Sequence, residues 1–447
     1  MYRESATPWT SSPSSAPAGS EQHLQAVADL GPSAGLRPPR NPSHVVADVT
    51  RAALASTSTS LSVYLVAALA VELRSALNLS LSSFGIAVSC YYLAGAVGSI
   101  PAGRLTDRLG GARTMCGAAL AGGAALLLIS LLATSWMTLA GFMLIAGLAN
   151  SAMPPSTNRF LIRRIPRARQ GIAFGVKQAS VPLAALLGGL AVPGIGLTIG
   201  WRWAFAAAAC LAAASGILAA TPRVRATPMP RPIASSKPPG GTRALWVLTV
   251  GFGLGIFAAT GLTTFMVLAA VTSGIDQADA GLLLALAAAT SIAARVAMGL
   301  VADRSHRSHF QLIALMLVVG AVGYSTLALG AATRSPAVFV GGAILAYGAG
   351  YGWNGLFNIA ITHSYEDAPA WATGFTQTGS GLASLLGPTT FGLLVTHTDY
   401  AVGWLAAGIS ALLAAIVILL GRRVLNASTA RRPLTAPTAR SDDASNV

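Results

Sequence analysis

Two basic residues of this 447-residue chain lie inside long apolar stretches, where a charge is costly. Lys177 occurs in GVKQASVPLAALLGG, and Arg295 occurs in SIAARVAMGLVADR. A cation near the centre of a membrane helix costs about 2.5–3.5 kcal/mol on insertion scales, so it usually faces a partner or a wet cavity. In such a cavity it compensates the negative charge of a solute. The sequence therefore predicts that Lys177 and Arg295 bind an anionic or polar solute.

Each cation also has a structural interpretation. Lys177 is near enough to one end of its apolar stretch for the ammonium group to reach the lipid headgroups. Arg295, Gly299 and Asp303 are spaced by four residues on one helix face and can form a structural cluster. Both alternatives stay open at the level of the sequence.

Polar and aromatic residues in other apolar stretches are predicted to orient the solute. Asn150 and Asn354 are candidates because a carboxamide within the membrane is expensive without a partner. Gln178 follows Lys177 directly, and Trp353 beside Asn354 is either a stacking wall for a solute or a packing residue.

The composition places these residues in a membrane protein. The chain is 53% hydrophobic and 10% charged, whereas soluble domains are about 25% charged. Twelve apolar stretches of about 20 residues are each long enough to cross the bilayer as a helix, and none shows the alternation of barrel strands. We predict an all-α membrane protein with twelve transmembrane helices in two six-helix bundles. The predicted spans are residues 51–73, 82–103, 113–133, 137–160, 171–193, 202–220, 244–272, 279–301, 310–331, 336–361, 372–396 and 400–421.

A Pro-rich basic segment, residues 221–243, separates the first six spans from the last six and is predicted to be a cytoplasmic linker. It divides an N-terminal bundle (48–220) from a C-terminal bundle (244–425). The Ser- and Pro-rich residues 1–47 and the polar residues 426–447 are predicted to be disordered cytoplasmic tails.

Positive charge is concentrated on one set of loops. With the N-terminus inside, only Arg74, Arg202 and Arg334 of the 29 Lys and Arg residues fall on outer loops, and 24 are cytoplasmic. This asymmetry predicts that both termini are cytoplasmic. It also accounts for the net charge of +15 without nucleic acid, and a membrane-surface role for these loops is the better interpretation. Ala-, Arg- and Gly-rich usage suggests a bacterial inner membrane protein.

The two halves of the chain repeat a loop sequence. GRLTDR, from Gly103 to Arg108, matches GLVADR, from Gly299 to Arg304. Repeats related by an axis along the membrane normal place the solute path between the halves.

The first copy, Gly103-Arg-Leu-Thr-Asp107-Arg108-Leu-Gly110-Gly111-Ala-Arg113, resembles the signature of the major facilitator superfamily. The second copy falls between the eighth and ninth spans, where that superfamily also repeats it. The resemblance covers residues from about 48 to 425 and implies a secondary active transporter that works by alternating access. Asp107 is expected to cap a helix end or pair with a nearby arginine, and Gly103 to allow close helix approach. The predicted gating residues are Gly103, Asp107, Arg108, Gly110, Arg113, Gly299, Asp303 and Arg304.

Arg295 also resembles the arginine of monocarboxylate and oxalate carriers in that superfamily, where it meets the substrate carboxylate. Ser291 stands where those carriers have an acidic residue. The resemblance implies that helices 1, 4, 7 and 10 line the cavity.

The leading functional prediction is a carrier for a small anionic or polar organic solute. A broad-specificity efflux pump is the alternative, and a solute sensor or assembly factor on a transporter scaffold is the third. The sequence has no nucleophile–base constellation, metal-ligand spacing or phosphate loop, so we predict no enzyme activity and no cofactor. Acidic residues fall in tails, loops or helix ends, which predicts that no buried carboxylate serves a proton relay. The expected partners are the substrate, the bilayer and a coupling ion whose identity the sequence does not give, with no nucleic acid and with the chain acting as a monomer.

Overall fold

The structure is a computed structural model that describes residues 42–220, 242–304, 308–365 and 369–430. The predicted tails, except for their helical edges, and almost all of the predicted linker lie outside these residues. The described part of the chain contains helices and short connections and no strand.

Eight of the segments expected to cross the membrane are continuous helices. They are α2 (Leu81–Leu109), α3 (Gly111–Leu132), α6 (Trp201–Ala220), α7 (Thr242–Thr272), α8 (Gln277–Arg304), α9 (His309–Thr333), α11 (Pro369–His397) and α12 (Tyr400–Ala430).

Four further segments are interrupted helices. They are α1a and α1b (Pro42–Ala68, Ala70–Leu77), α4a and α4b (Trp136–Ser151, Met153–Arg164), α5a and α5b (Arg167–Gln178, Ser180–Ala191) with a π-helical turn (Val192–Gly196), and α10a and α10b (Pro336–Leu345, Asn354–Ser364) around a π-helical turn (Ala346–Tyr351).

Hydropathy accounts for most of these segments as membrane spans. Within the described ranges, nine segments are long and apolar enough to cross a membrane, and α1a with α1b, bent by 67°, makes a tenth. The remaining two are the interrupted α10 and the 29-residue α11, which is rich in Thr, Ser and Gly. The all-α fold with twelve helices is therefore confirmed.

The helices alternate in direction, which gives the bundles two distinct ends. We call the end that carries residues 42, 220, 242 and 430 the terminal end, and the opposite end the far end. Helix 1 begins at Pro42, before the predicted start at residue 51, and α12 continues to Ala430, beyond the predicted end at residue 421.

Polar caps and a glycine turn explain several helix boundaries. At the start of α2 the Ser80 hydroxyl accepts a hydrogen bond of 3.0 Å from the Ser83 backbone N–H, and Ser135 with Thr138 forms a capping box at the start of α4a. Gly110 joins α2 to α3 with φ of 87°, a conformation that favours glycine.

The two bundles meet closely at the far end. A Cβ added at Gly85 of α2 would lie 2.5 Å from the Pro388 carbonyl oxygen of α11, and one added at Gly189 of α5b would lie 2.5 Å from the Gly281 carbonyl oxygen of α8. A hydrogen bond of 3.0 Å between the Ser82 and Thr396 hydroxyls joins the same end. Only glycine allows these backbones to approach so closely.

Toward the terminal end the bundles separate. The α5b segment packs along α8, but α5a has no comparable contact with the C-terminal bundle. The result is a cleft between the bundles that is closed at the far end and opens at the terminal end.

Candidate functional site

Five of the six predicted binding residues lie at or next to the interruptions of helices 4, 5 and 10, and Arg295 is the exception. Asn150 is two residues before the break at Ala152, Lys177 and Gln178 are the last residues of α5a, and Asn354 is the first residue of α10b. Interrupted helices in transporters usually mark the solute site, because the breaks free backbone groups and let side chains turn inward. The sequence pattern did not predict these interruptions.

Arg295 lies within α8 and turns toward the π-helical turn of α10. Its Nη2 donates a hydrogen bond of 3.3 Å to the carbonyl oxygen of Tyr351, and its Cζ lies 5.0 Å from the centroid of the Tyr351 ring. The Nε atom is buried and forms no hydrogen bond with any described residue. No carboxylate of the described residues pairs with this guanidinium.

A tyrosine pair bridges the two bundles beside Arg295. The hydroxyl oxygens of Tyr64 in α1a and Tyr351 are 2.7 Å apart, and both residues are buried. The phenol groups of Tyr92 and Tyr347 are close enough to interact electrostatically with Tyr64. The cluster therefore joins helices 1, 2 and 10 around the point that Arg295 reaches. Tyr64 and Tyr351 were not among the predicted site residues.

Lys177 is 8% exposed. No hydrogen bond or ion pair joins its ammonium group to another residue that the structure describes, although its backbone carbonyl accepts a hydrogen bond from the Ser180 hydroxyl. The Thr57 hydroxyl in turn donates to the Ser180 carbonyl at 3.4 Å, which ties α1a to the break in helix 5. The stem of Lys177 is therefore buried, and the snorkelling alternative, which concerns the position of the ammonium group, stays open.

Lys177 and Arg295 lie at the same level of the cleft. Gly189 of α5b touches α8 between Gly281 and Ala285. Lys177 is twelve residues from Gly189 and Arg295 is ten from Ala285, so each lies about 15–18 Å toward the terminal end from this contact. The two cations therefore lie at one level on helices of opposite bundles that are in contact with each other.

The other predicted binding residues differ in their surroundings. Asn150 and Asn354 are half-buried, and Gln178 is exposed. Trp353 is fully buried. Its indole N–H donates to the Gly350 carbonyl at 2.9 Å, and its ring meets Phe252 edge to face at 5.5 Å. Trp353 therefore packs inside the C-terminal bundle, and in this conformation it offers no stacking wall to a solute.

The predicted gating motif contains an ion pair. Asp107 at the end of α2 accepts a hydrogen bond from Arg159 of α4b, within the N-terminal bundle. The expectation for Gly103 differs from the structure, since a Cβ there would meet nothing within 4 Å. Gly111 makes the close approach instead, with an added Cβ 2.6 Å from the Ser156 carbonyl oxygen.

The remaining residues of the motif carry less information. The side chains of Arg108 and Arg113 are exposed, and Gly110 forms the turn described above. In the second copy, α8 runs through Gly299, Asp303 and Arg304. Their surroundings lie outside the described part of the structure, so the predicted cluster with Arg295 stays a prediction.

Glu72 corrects the expectation that no carboxylate is buried. It lies in α1b, beyond the bend in helix 1, and both carboxylate oxygens are buried without a hydrogen bond to a described residue. The sequence placed Glu72 near the end of helix 1, which was right. Sequence position alone does not reveal that the bend turns this end of the helix toward the interface between the two bundles.

A buried ion cluster lies at the terminal end of the N-terminal bundle. Asp48 of α1a accepts hydrogen bonds from Arg51 at 3.4 Å and from Arg164 of α4b at 3.3 Å. The guanidinium of Arg164 lies over the Phe160 ring at 4.5 Å. Arg164 is therefore part of the bundle packing and not a free loop charge.

Known proteins share this sequence pattern and this architecture. Residues 52–370 match the family model described as Major Facilitator Superfamily. Uncharacterized MFS-type transporters from two strains of Mycobacterium tuberculosis, CDC 1551 / Oshkosh and ATCC 25618 / H37Rv, are each 26% identical over 325 residues, which is 69% of this chain and 69% of each relative.

Solved structures show the same fold at lower sequence identity. A bacterial homolog of the human lysosomal transporter Spinster, in an inward-facing and unoccupied conformation, superimposes with a TM-score of 0.69 at 15% identity, covering 87% of this chain and 98% of that chain. A D-xylose-proton symporter gives a TM-score of 0.69 at 16% identity, covering 84% and 97%. The chain belongs to the major facilitator superfamily and is a multi-pass membrane transporter.

Proposed function

We propose that this protein carries a small organic anion through the cleft between its bundles by alternating access. The observation that supports the proposal is the pair of cations on facing helices, Lys177 and Arg295, which lie at one level and have no carboxylate partner among the described residues. Two cations held in this way create a site of positive potential that a carboxylate neutralises.

The energetics favour a solute that carries at least one carboxylate. A unit charge about 4 Å from a cation gains about 4 kcal/mol at the effective dielectric constant of a partly buried site. Arg295 gives one hydrogen bond to a backbone carbonyl through Nη2, and a guanidinium carries further donors in a fork that suits a planar, bidentate acceptor. Asn150, Gln178 and Asn354, at the helix breaks, are positioned to orient the rest of the solute.

The proposed orientation places the terminal end in the cytoplasm of a bacterium, with the protein in the inner membrane as a monomer. It is supported by the 24 Lys and Arg residues assigned to that side. The Asp107–Arg159 pair lies at the same end, where the bundles must meet when the cleft closes there. We assign the motif around it to that closure.

A broad-specificity efflux pump is the alternative function. Two cations without a carboxylate partner among the described residues disfavour cationic drugs, because like charges repel in a site of low dielectric constant. Two structural neighbours are named as carriers of D-xylose and of nucleosides, so a polar neutral solute is the second class to test.

Thermal stabilisation of the detergent-purified protein tests the proposal. The compounds are small carboxylates, other anions, neutral metabolites and hydrophobic cations, and the Kd of each stabilising compound is then measured by titration. Lys177→Gln removes one charge contact, worth about 2 kcal/mol, and is expected to raise the Kd of a carboxylate about 30-fold. Arg169→Gln is the matched control, because it removes an exposed charge from the same helix.

The outcome is decided by the class of ligand and its response to the variant. A carboxylate that stabilises the wild type and the Arg169 variant, but binds Lys177→Gln much more weakly, supports the proposal. Stabilisation by hydrophobic cations that is unaffected by Lys177→Gln contradicts it and supports drug efflux.

A further inference from the structure

Glu72 lies where helix 1 bends into the interface between the bundles. The bend of 67° between α1a and α1b turns this residue away from the axis of helix 1. Its side chain interacts with the amide of Gln277, the first residue of α8 in the opposite bundle. Its Oε1 also lies close to Gly196, where an added Cβ would be 3.0 Å away. The carboxyl group is therefore enclosed by helices 5 and 8 at the far end.

Among the described residues, the carboxyl group of Glu72 has no cationic partner. Neither carboxylate oxygen of Glu72, nor the amide nitrogen of Gln277, forms a hydrogen bond with a described residue, and all three atoms are buried. Arg74, two residues along the same helix, is directed elsewhere, with its Nε donating to the Leu79 carbonyl at 3.0 Å.

The charged and titratable groups on the surrounding elements do not compensate Glu72 either. At the far end, Asp276 and Asp279 flank Gln277 on the α8 side, His397 ends α11, and Asp399 precedes α12. All four are exposed to solvent. Tyr400 at the start of α12 interacts with Arg74.

An enclosed carboxylate of this kind is unstable in its charged form. Removing a carboxylate from water without a paired cation costs several kcal/mol, whereas a neutral carboxylic acid costs far less. The N-terminal turn of α1b favours a negative charge by about 0.3–1 kcal/mol, which is too little to offset the loss of hydration. The neutral acid also matches the amide of Gln277, which can both accept and donate a hydrogen bond.

We propose that Glu72 is a proton-binding site, and that the far end of the cleft closes with this carboxyl group protonated. When the bundles part at the far end, Gln277 moves away with the C-terminal bundle and water reaches Glu72. The carboxyl group then releases its proton. Closure at the far end and uptake of one proton from the water on that side are thus a single linked equilibrium.

The sign of the pH dependence follows from this linkage. The closed far end binds one proton more than the open far end, so raising the pH favours opening. Where Glu72 is protonated in the closed form and ionised in the open form, the closed-to-open ratio falls by up to about tenfold per pH unit. This behaviour needs no substrate, so it can be tested separately from the anion site.

The experiment measures the separation of the bundles at the far end against pH. Spin labels are attached to cysteines at Thr134, after α3, and Thr333, at the end of α9, which are both exposed and lie in opposite bundles. The native Cys90, Cys116 and Cys210 are replaced by serine. Distances are recorded by pulsed electron resonance from about pH 5 to about pH 8, the range in which a buried carboxyl group titrates.

Three variants separate the possible results. Glu72→Gln, which resembles the protonated acid, is expected to keep the far end closed at every pH, and Glu72→Ala serves if the glutamine variant does not fold. Asp276→Asn removes an exposed carboxylate next to Gln277 and is expected to keep the wild-type response.

A wild-type distance distribution that does not change with pH contradicts the proposal. So does a Glu72→Gln variant that retains the wild-type response. Closure that follows sodium concentration at constant pH, and that disappears in Glu72→Gln, would assign the site to a metal cation and overturn the proton assignment.

Discussion

The hydrogen bond between Tyr64 and Tyr351 is expected to hold the far end closed. The two hydroxyl oxygens are 2.7 Å apart, belong to opposite bundles and are buried. Opening the far end must break this bond. Tyr64→Phe removes the hydroxyl group and leaves the ring, so it tests the bond without creating a large cavity.

The magnitude follows from the surroundings of the bond. A neutral hydrogen bond contributes about 0.5–1.5 kcal/mol net, and leaving a buried hydroxyl unsatisfied costs about 1–3 kcal/mol. The penalty falls on the closed form alone, because the open form lets water reach Tyr351. We therefore expect Tyr64→Phe to destabilise closure by about 1.4 kcal/mol, which lowers the closed-to-open ratio about tenfold.

The assay measures the distance between spin labels at Thr134 and Thr333, at a pH where the closed and the open form of the far end are both populated. Tyr324→Phe is the matched control, because its hydroxyl is also buried but has no hydrogen bond with a described residue. Tyr351→Phe is expected to give a shift similar to that of Tyr64→Phe. The double variant should shift little further, since both changes remove one shared bond.

Two results would refute this reasoning. One is a population shift in Tyr324→Phe as large as that in Tyr64→Phe, which would make the effect a general one of losing a buried hydroxyl. The other is full additivity in the double variant, which would mean that the two hydroxyls act independently.

Two further predictions concern packing. Gly189→Val should prevent closure at the far end, because the added Cβ would lie 2.5 Å from the Gly281 carbonyl oxygen and 2.6 Å from the Ala285 nitrogen. The spin labels at Thr134 and Thr333 should then show the longer distance, whereas Gly194→Val should leave closure intact because its Cβ meets nothing within 4 Å. A Gly189→Val variant that closes normally would contradict this geometry. Trp353→Ala should lower the free energy of unfolding by about 3–5 kcal/mol and clearly reduce the melting temperature. Trp203→Ala, at a residue that is 60% exposed, should change the melting temperature little. Equal losses of melting temperature in the two variants would show that Trp353 is not a core residue.

Hydropathy was sufficient to find the helices. The predicted sixth span, 202–220, corresponds to Trp201–Ala220, and the ninth, 310–331, to His309–Thr333. Lipid requires about 20 apolar residues per crossing, so the signal lies in the segment itself. Helix 1 and α12 extend further than predicted because helices continue into polar sequence beyond the hydrocarbon, where hydropathy gives no signal.

The interruptions and the site contacts were harder to predict. Pro154 and Pro155 gave a local signal for the break in helix 4, but no comparable signal fixed the bend at Leu69. Tyr64 and Tyr351 are separated by 287 residues, and their pairing depends on how two bundles meet. Glu72 looked like a surface residue because sequence position shows where a helix ends but not what packs against that end.

Tyr351 suggests how solute binding and closure are coupled. Its carbonyl and ring hold the guanidinium of Arg295, and its hydroxyl bonds to Tyr64 in the other bundle. All three contacts converge on a π-helical turn, a rare element that occurs frequently at functional sites. An anion that draws Arg295 away leaves the Tyr351 carbonyl without its donor, so the turn must rearrange and the bridge to Tyr64 is strained. The anion can shift the conformational equilibrium only by its difference in affinity for the two forms. A charged hydrogen bond of about 1.5–3 kcal/mol is of the same size as the tyrosine bridge, so one solute is enough to release it.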